Sequence, residues 1–427
     1  MGKCPNCDSW ETLVEEHVPA RTRSSKGSAF PAADVVSLAD VDMHVGRRIA
    51  TQSAELDRVL GGGLVPGSVV LVAGDPGMGK STLTLQVAAG VAQKGGTALY
   101  VTGEESLHQI RQRAERLGLD VSNILVASET SVERVAALVD QIRPALVIVD
   151  SIQTMTTGLL ESSAGTVAQV RESTMLLSKT ARTTATPTLL IGHVTKEGMV
   201  AGPKVLEHMV DAVMQFEGEG MYSYRLLRAL KNRYGSTNEI GVFEMTGSGL
   251  REVPNPSEVL LSSHHDGEPG TAVVAVIEGT RPLLVEVQAL VSPSGYNVPQ
   301  RVSTGYDTKR LQLILAILER RGGLSIRQND VFVNIAGGLR IEDPAIDLGM
   351  AMAIASSVYD RPLPPASVFV GELGLTGEIR NVSHLEQRIA ESFRLGLRTV
   401  YAPGHDTGKH GVVLVQRLAD IRTMIFG

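Results

Sequence analysis

Gly74-Asp75-Pro76-Gly77-Met78-Gly79-Lys80-Ser81 follows directly on the apolar run Val69–Ala73 and opens the helix-length segment Ser81–Lys94. The octapeptide fits G-x-x-x-x-G-K-[S/T], and its place between a strand and a helix is the context that motif requires. Its glycines let successive backbone N–H groups curl around phosphate oxygens with no Cβ in the way. Lys80 brings a cation to the β- and γ-phosphates and the Ser81 hydroxyl reaches Mg2+, while the helix start, Thr82 included, adds its positive end. The stretch Gly74–Thr82 is therefore a candidate nucleotide-binding segment, with ATP and Mg2+ as the implied ligands.

Working outward, the runs Ala98–Thr102, Ala145–Val149 and Thr188–Ile191 are also apolar at nearly every position. Such strands are buried on both faces, which is the mark of a parallel sheet covered by helices. The intervening segments Ser106–Leu117 and Ser131–Ile142 have helix length, so residues 49–250 read as an α/β unit. Asp211–Met245 reads as antiparallel strands turning at Gly218-Glu219-Gly220 and Gly235-Ser236. Ligands of parallel sheets sit at the carboxyl ends of the strands. That rule selects Asp150, which ends Leu146-Val147-Ile148-Val149 and suits the Mg2+ site together with Ser81. It also selects Glu104 or Glu105 to orient or deprotonate the attacking water, one of the two alternatively accompanying the start of the Ser106 helix; Glu104 is preferred. His193, after Thr188-Leu189-Leu190-Ile191-Gly192, is a candidate γ-phosphate sensor.

The rest of the chain divides around this unit. With 427 residues the prior is roughly three domains. Residues 1–17 hold both cysteines and the single tryptophan, and residues 18–48 form a Ser/Ala/Pro-containing linker. Pro254-Asn255-Pro256-Ser257 marks a boundary near residue 251. Beyond it, strands (Thr271–Glu278, Leu283–Val291, Val331–Ile335) mix with helices (Lys309–Arg321, Pro344–Val358), an α+β pattern. The net charge of −6 rules out a strongly basic nucleic-acid coat and leaves room for a local basic groove. No apolar run approaches membrane length, the start MGKCPNCDSW has no signal-peptide core, and two cysteines suit a reducing compartment. No membrane association and a cytoplasmic location are the expectation.

The order of parts resembles the RecA-type ATPases and, more narrowly, the bacterial RadA (Sms) DNA-repair family. Three stretches carry the resemblance: Cys4-Pro5-Asn6-Cys7-Asp8-Ser9-Trp10, the phosphate loop, and Lys231-Asn232-Arg233-Tyr234-Gly235. The last is similar to the family signature K-N-R-F-G, with Tyr234 in place of phenylalanine. The resemblance implies a RecA-like P-loop NTPase core with a parallel central sheet, followed by an α+β Lon-protease-like domain over residues 251–427. It implies a DNA-dependent ATPase of recombinational repair that binds single-stranded and branched DNA and drives branch migration. A hexameric ring of copies of the chain and a recombinase are the protein partners it suggests. A RecA-like signalling ATPase acting on protein is the alternative, and an ATP-dependent Lon-type protease the third reading.

The resemblance also assigns residues. Lys231 and Arg233 would reach the nucleotide of a neighbouring subunit as arginine fingers do. Loops Thr156–Thr166 and Lys196–His208 would face DNA, with Lys196 and Lys204 on its phosphates. Read from the residues rather than from the resemblance, Arg301, Lys309 and Arg310 are candidate cations of a basic face for DNA in the C-terminal part. Where Lon-type peptidases carry serine and lysine, this sequence places Asp347 and Glu386, so neither an activatable hydroxyl nor an amine base is present. Cys4 and Cys7 supply half of a structural zinc site. In the family the other pair lies upstream, and this sequence reads as a version shortened at that end.

Overall fold

In the computed structural model, Ser37 and residues 47–193, 203–217, 224–261, 267–295, 298–404 and 410–427 are described. The chain enters through α1 (Ala54–Leu60), capped by the Ser53 side chain, and then runs β1 (Val69–Gly74), α2 (Lys80–Gln93), β2 (Ala98–Thr102) and α3 (Leu107–Arg116). It continues through β3 (Ile124–Ser128), α4 (Val132–Ile142), β4 (Leu146–Asp150), α5 (Val167–Thr184) and β5 (Thr188–His193). After α6 (Pro203–Leu206) come β6 (Ala212–Glu217), β7 (Tyr224–Asn232), β8 (Ile240–Thr246) and β9 (Gly249–Glu252). These strands form one sheet of nine in the order β3-β2-β4-β5-β1-β6-β7-β8-β9. From β3 to β6 every pairing is parallel, and from β6 to β9 every pairing is antiparallel.

Side-chain alternation explains why these runs are apolar throughout. Val70, Val72, Tyr100, Ile148 and Ile191 face one core, closed by α1, α2 and α3. Val69, Leu71, Val101, Val149 and Leu190 face the other, closed by α4 and α5. Two buried faces leave no position for a polar side chain within the strand. Two findings differ from the sequence reading. β6 is not part of an antiparallel hairpin alone; it pairs parallel to β1 in the register Val70↔Ala212 and so extends the parallel half. β3 was not anticipated because it is the sheet edge and only half-buried, with no all-apolar signature. The turn at Gly218-Glu219-Gly220 lies outside the described residues.

The second half of the chain adds α7 (Pro256–Leu260), β10 (Thr271–Glu278), β11 (Arg281–Pro293), β12 (Arg301–Thr304), α8 (Thr308–Arg320) and β13 (Asn329–Ile335). It closes with α9 (Asp347–Tyr359), β14 (Ser367–Phe369), β15 (Glu372–Leu373), β16 (Ile379–Arg380), α10 (Leu385–Arg394), β17 (Thr399–Ala402), β18 (Val412–Leu414) and α11 (Leu418–Phe426). A mixed seven-stranded sheet runs β12-β13-β11-β10-β14-β17-β18. α8, α9 and α11 cover one face and α10 the other. Both sheets lie within a single compact unit, Gly46–Gly427. The fold is thus an α/β RecA-like core followed by an α+β sheet. Among the described residues no helix is long and apolar enough to cross a membrane.

Candidate nucleotide site

Because β1, β2, β4 and β5 are parallel and adjacent, their carboxyl ends open on one edge of the sheet. The phosphate loop leaves β1 there. Gly77 (φ +80°) and Gly79 (φ +98°) take left-handed backbone conformations, which curl the loop into a concave run of N–H groups. A Cβ on Gly79 would also lie 2.6 Å from the Met245 methyl group, which would have to shift, and the backbone angle itself disfavours any other residue there. Gly79 is also the N-cap of α2 and makes no side-chain cap bond, which leaves the first-turn donors of Lys80, Ser81 and Thr82 free of a side-chain cap. Asp75, Pro76 and Gly77 are exposed, whereas Gly74 and Met78 are buried and anchor the loop to the sheet.

Lys80 is only 4% exposed, and its Nζ donates to the carbonyls of Gly74 (2.7 Å) and Asp75 (2.9 Å). Burial pulls its pKa below the ordinary lysine value, against the opposing pull of Asp150, Asp75 and Glu104. Asp150, at the end of β4, is buried and accepts a 2.5 Å hydrogen bond from the Tyr100 phenol. The Asp150–Ser151 peptide bond is cis. The Ser151 hydroxyl donates to Glu104, and the same Glu104 oxygen lies 3.4 Å from His193 Nε2. His193 foremost, with Ser151 and Lys80, holds the Glu104 carboxyl below the ordinary glutamate value, against the effect of burial. Glu105 is occupied elsewhere: it is paired with Arg113 of α3. The strand ends therefore bring Lys80, Asp150, Glu104 and His193 into one crevice.

The donor set suits nucleotide and Mg2+. A concave loop of backbone N–H groups beside a buried ammonium fits phosphate, and a hydroxyl with a carboxylate are the hard oxygen ligands Mg2+ takes. Nearby, Gln153 donates to the His193 carbonyl (3.3 Å) while its own side-chain oxygen is buried with no protein partner among the described residues. Ser151, Tyr100 and Gln153 escaped the sequence reading. Only the last two carried a signal: a tyrosine among aliphatics inside a buried strand, and a glutamine just past a strand end.

A family model described as an AAA domain matches residues 34–199, and one described as subunit ChlI of Mg-chelatase matches residues 307–406. The DNA repair protein RadA of Halalkalibacterium halodurans is 48% identical over 96% of this chain and 90% of its own length. That of Bacillus subtilis is 47% identical over 94% of this chain and 89% of its own. The chain belongs to the RadA family of DNA repair proteins. A RadB recombinase crystal structure, 25% identical, aligns with 48% of this chain and 99% of that one at a TM-score of 0.39. This RadA-family chain is a P-loop ATPase.

The family's signature stretch lies at the other edge of the sheet. Lys231, near the end of β7, donates to the carbonyls of Glu207 (2.5 Å) and Val210 (2.8 Å). Burial, then the neighbouring Arg233, lowers its pKa. Arg233 is half-exposed and donates to Asp211 (3.1 Å), whose other oxygen accepts from the backbone N–H of Val69 at the start of β1. Lys231 and Arg233 thus sit beside the amino end of β1, and the phosphate loop lies beyond its carboxyl end. At ~3.3 Å per residue that is roughly 15–20 Å away.

The candidate DNA contacts in this RadA-family chain are placed unevenly. Lys196, Cys4 and Cys7 lie outside the described residues, and Lys204 is placed only as part of α6. Lys309 is exposed on the first turn of α8. Arg301 and Arg310 differ from the expectation of open cations. Arg301 spends its guanidinium on the carbonyls of Gln300, Asn329, Ile326 and Arg327. Arg310 forms a two-pronged pair with the fully buried Asp347 and also donates to the Leu373 carbonyl. Asp347 in turn accepts from the Tyr306 phenol (2.6 Å) and the Leu373 N–H (3.1 Å). Asp347 is thus a buried carboxylate held by three partners, Arg310, Tyr306 and the Leu373 N–H. Glu386 is exposed on α10. Among the described residues no group of three or more His, Cys, Asp or Glu is placed to hold a metal.

Proposed function

We propose that this chain is a DNA-dependent ATPase of recombinational repair, a ring-forming motor that tracks single-stranded DNA and drives branch migration of recombination intermediates. The observation that carries the reading is the Glu104 carboxylate, held ionised by His193 and Ser151 in the crevice that also holds Lys80 and Asp150. A carboxylate so placed orients the attacking water and takes its proton. Lys80 and the N–H groups of residues 77–82 bind the β- and γ-phosphates, and the loop excludes water from one side of them. Ser81 and Asp150 would hold Mg2+, which when bound supplies charge neutralisation between phosphate oxygens. His193 reports the γ-phosphate to the segment beyond β5, where Lys196 and Lys204 contact DNA phosphates. Lys231 and Arg233 act on the nucleotide of the next subunit, and their distance from their own phosphate loop supports that reading. Arg301 and Arg310 belong to the fold more than to a DNA surface, which leaves Lys309 as the open cation of that group.

The test is steady-state ATP hydrolysis with and without single-stranded DNA across a salt series, with Lys80→Ala as control. Stimulation by DNA that fades as salt rises is the expected outcome, because phosphate contacts release counterions. Turnover that needs Lys80 but ignores DNA at every salt concentration overturns the motor reading and favours an ATPase acting on protein.

A further inference from the structure

The β10–β11 turn, Glu278-Gly279-Thr280-Arg281, belongs to the seven-stranded sheet, yet its side chains bond to the nine-stranded one and to α1, with Glu278 buried and Thr280 exposed at the tip. Glu278 accepts from Arg228 in the middle of β7 (2.7 Å), and Arg228 also donates to Glu217 of β6 (3.2 Å). Thr280 donates to Glu239 (2.7 Å). Arg281 donates to the buried Glu55 of α1 (3.0 Å) and to the Pro254 carbonyl. Gly279 (φ +68°) presses on Asn238 so closely that a Cβ would stand 1.5 Å from its carbonyl oxygen.

Two of these contacts, at Asn238 and Glu239, fall on one connection, residues 233–239 between β7 and β8, and Arg228 pairs with Ile240 just beyond it. That connection begins two residues after Lys231 and contains Arg233, Tyr234 and Gly235. Residues 233–238 are exposed, so the hydrophobic core does not fix their path. The turn grips the connection at its far end through Asn238 and Glu239, and grips its incoming strand through Arg228. α1 completes the arrangement. Its first turn is tied to Arg281, while at its last turn Val59 accepts from Asn232 (3.2 Å) and a Cβ on Gly61 would lie 3.2 Å from the Gly235 Cα.

We infer that Glu278–Arg281 is a positioning element that holds Lys231 and Arg233 in the geometry used for ATP hydrolysis, so that the C-terminal half of the chain sets the turnover rate. The inference rests on the proposed role of Lys231 and Arg233 and adds what holds them in place. Arg281 is a positioning residue: it touches neither nucleotide nor phosphate loop, and it acts through α1 and the 233–239 connection. A state of the C-terminal sheet that draws the turn back releases the connection and slows hydrolysis without weakening nucleotide binding.

The test compares the full chain with Arg281→Met, Arg281→Lys and Lys231→Ala, reading kcat, KM for ATP and amide hydrogen exchange. In Arg281→Met, kcat falls roughly 2- to 30-fold, the range by which residues along a coupling route shift an equilibrium. KM for ATP stays within about twofold, because binding at the phosphate loop is untouched. Exchange quickens at residues 231–236 and is unchanged at 74–82, and Arg281→Lys recovers most of both effects. Unchanged kcat together with unchanged exchange at 231–236 overturns the inference. So does a loss accompanied by equally fast exchange at 74–82, which would mean general loosening. If Arg281→Met does not fold, Thr280→Val removes only the bond to Glu239, and the same readouts decide. If instead Lys231→Ala leaves kcat intact, the cross-subunit reading has failed, and exchange at 231–236 in Arg281→Met still reports separately whether the turn holds the connection.

Discussion

Tyr100 shows how a single buried hydroxyl can serve a phosphate site it never touches. Its phenol donates to Asp150, and burial together with that carboxylate keeps its pKa well above the ordinary tyrosine value. It therefore stays a donor at every pH the protein tolerates. Tyr100→Phe removes the bond with almost no change in volume and leaves Asp150 short of a partner. The expected result is a rise of roughly 10-fold in the Mg2+ concentration that half-saturates ATP hydrolysis, the scale seen when a partner of a metal ligand is lost. A Mg2+ titration of turnover checks it. Glu104 carries the pH prediction. Its carboxyl is held below the usual 4.5, first by His193, so it remains ionised above that point and loses its charge only as pH falls through the lowered value. His193→Gln weakens that hold, and the acid limb of the kcat profile moves to higher pH. A limb that stays in place assigns the water to another group.

The elements differ in how plainly the sequence announced them. β1, β2, β4 and β5 were legible because burial on both faces forbids polar side chains, and α2 because the phosphate loop must open a helix. The phosphate-loop residues themselves needed only local sequence. Glu104 is already the preferred residue on the sequence; what needed the fold was the partner of Glu105, since Arg113 of α3 reaches it only once α3 lies back across the strand end. The partners of Arg301 and Arg310 were hidden from the sequence for the same reason: they include carbonyls and a carboxylate more than 20 residues away. α8 and α9 give the element-scale prediction. Asp347 sits fully buried at the first turn of α9 and joins it to Arg310 and Tyr306. Asp347→Ser puts a hydroxyl in place of the carboxylate but strands the guanidinium and the phenol. Breaking a buried pair from one side costs about 3 kcal/mol or more, so the denaturation midpoint falls and no peptide cleavage appears. Casein degradation by that variant would contradict the structural role given to Asp347.

At the scale of the whole molecule, the nucleotide site and the Lys231–Arg233 pair stand at opposite ends of the strands of one sheet. The phosphate loop with Glu104, Asp150 and His193 occupies the carboxyl edge, and Lys231 with Arg233 sits beside the amino end of β1. A side chain of ~6–7 Å reach does not bridge a strand's length of roughly 15–20 Å. If Lys231 and Arg233 act on a nucleotide, that nucleotide belongs to another copy, and the contact is head-to-tail, the kind that closes into a ring. Subunit mixing reads this directly. Lys80→Ala has a dead phosphate loop but intact Lys231 and Arg233, and Arg233→Ala has the reverse. Each alone should lose almost all turnover, since a charge of this kind contributes on the order of 10³-fold or more to phosphoryl transfer. In an equal mixture, about a quarter of head-to-tail interfaces join an intact loop to an intact finger, so activity returns to at most that share of the wild-type rate. A recovery that peaks near equal proportions and vanishes at either extreme is the signature of a shared site. Mixtures no more active than their components at any ratio would place Arg233 outside the chemistry altogether.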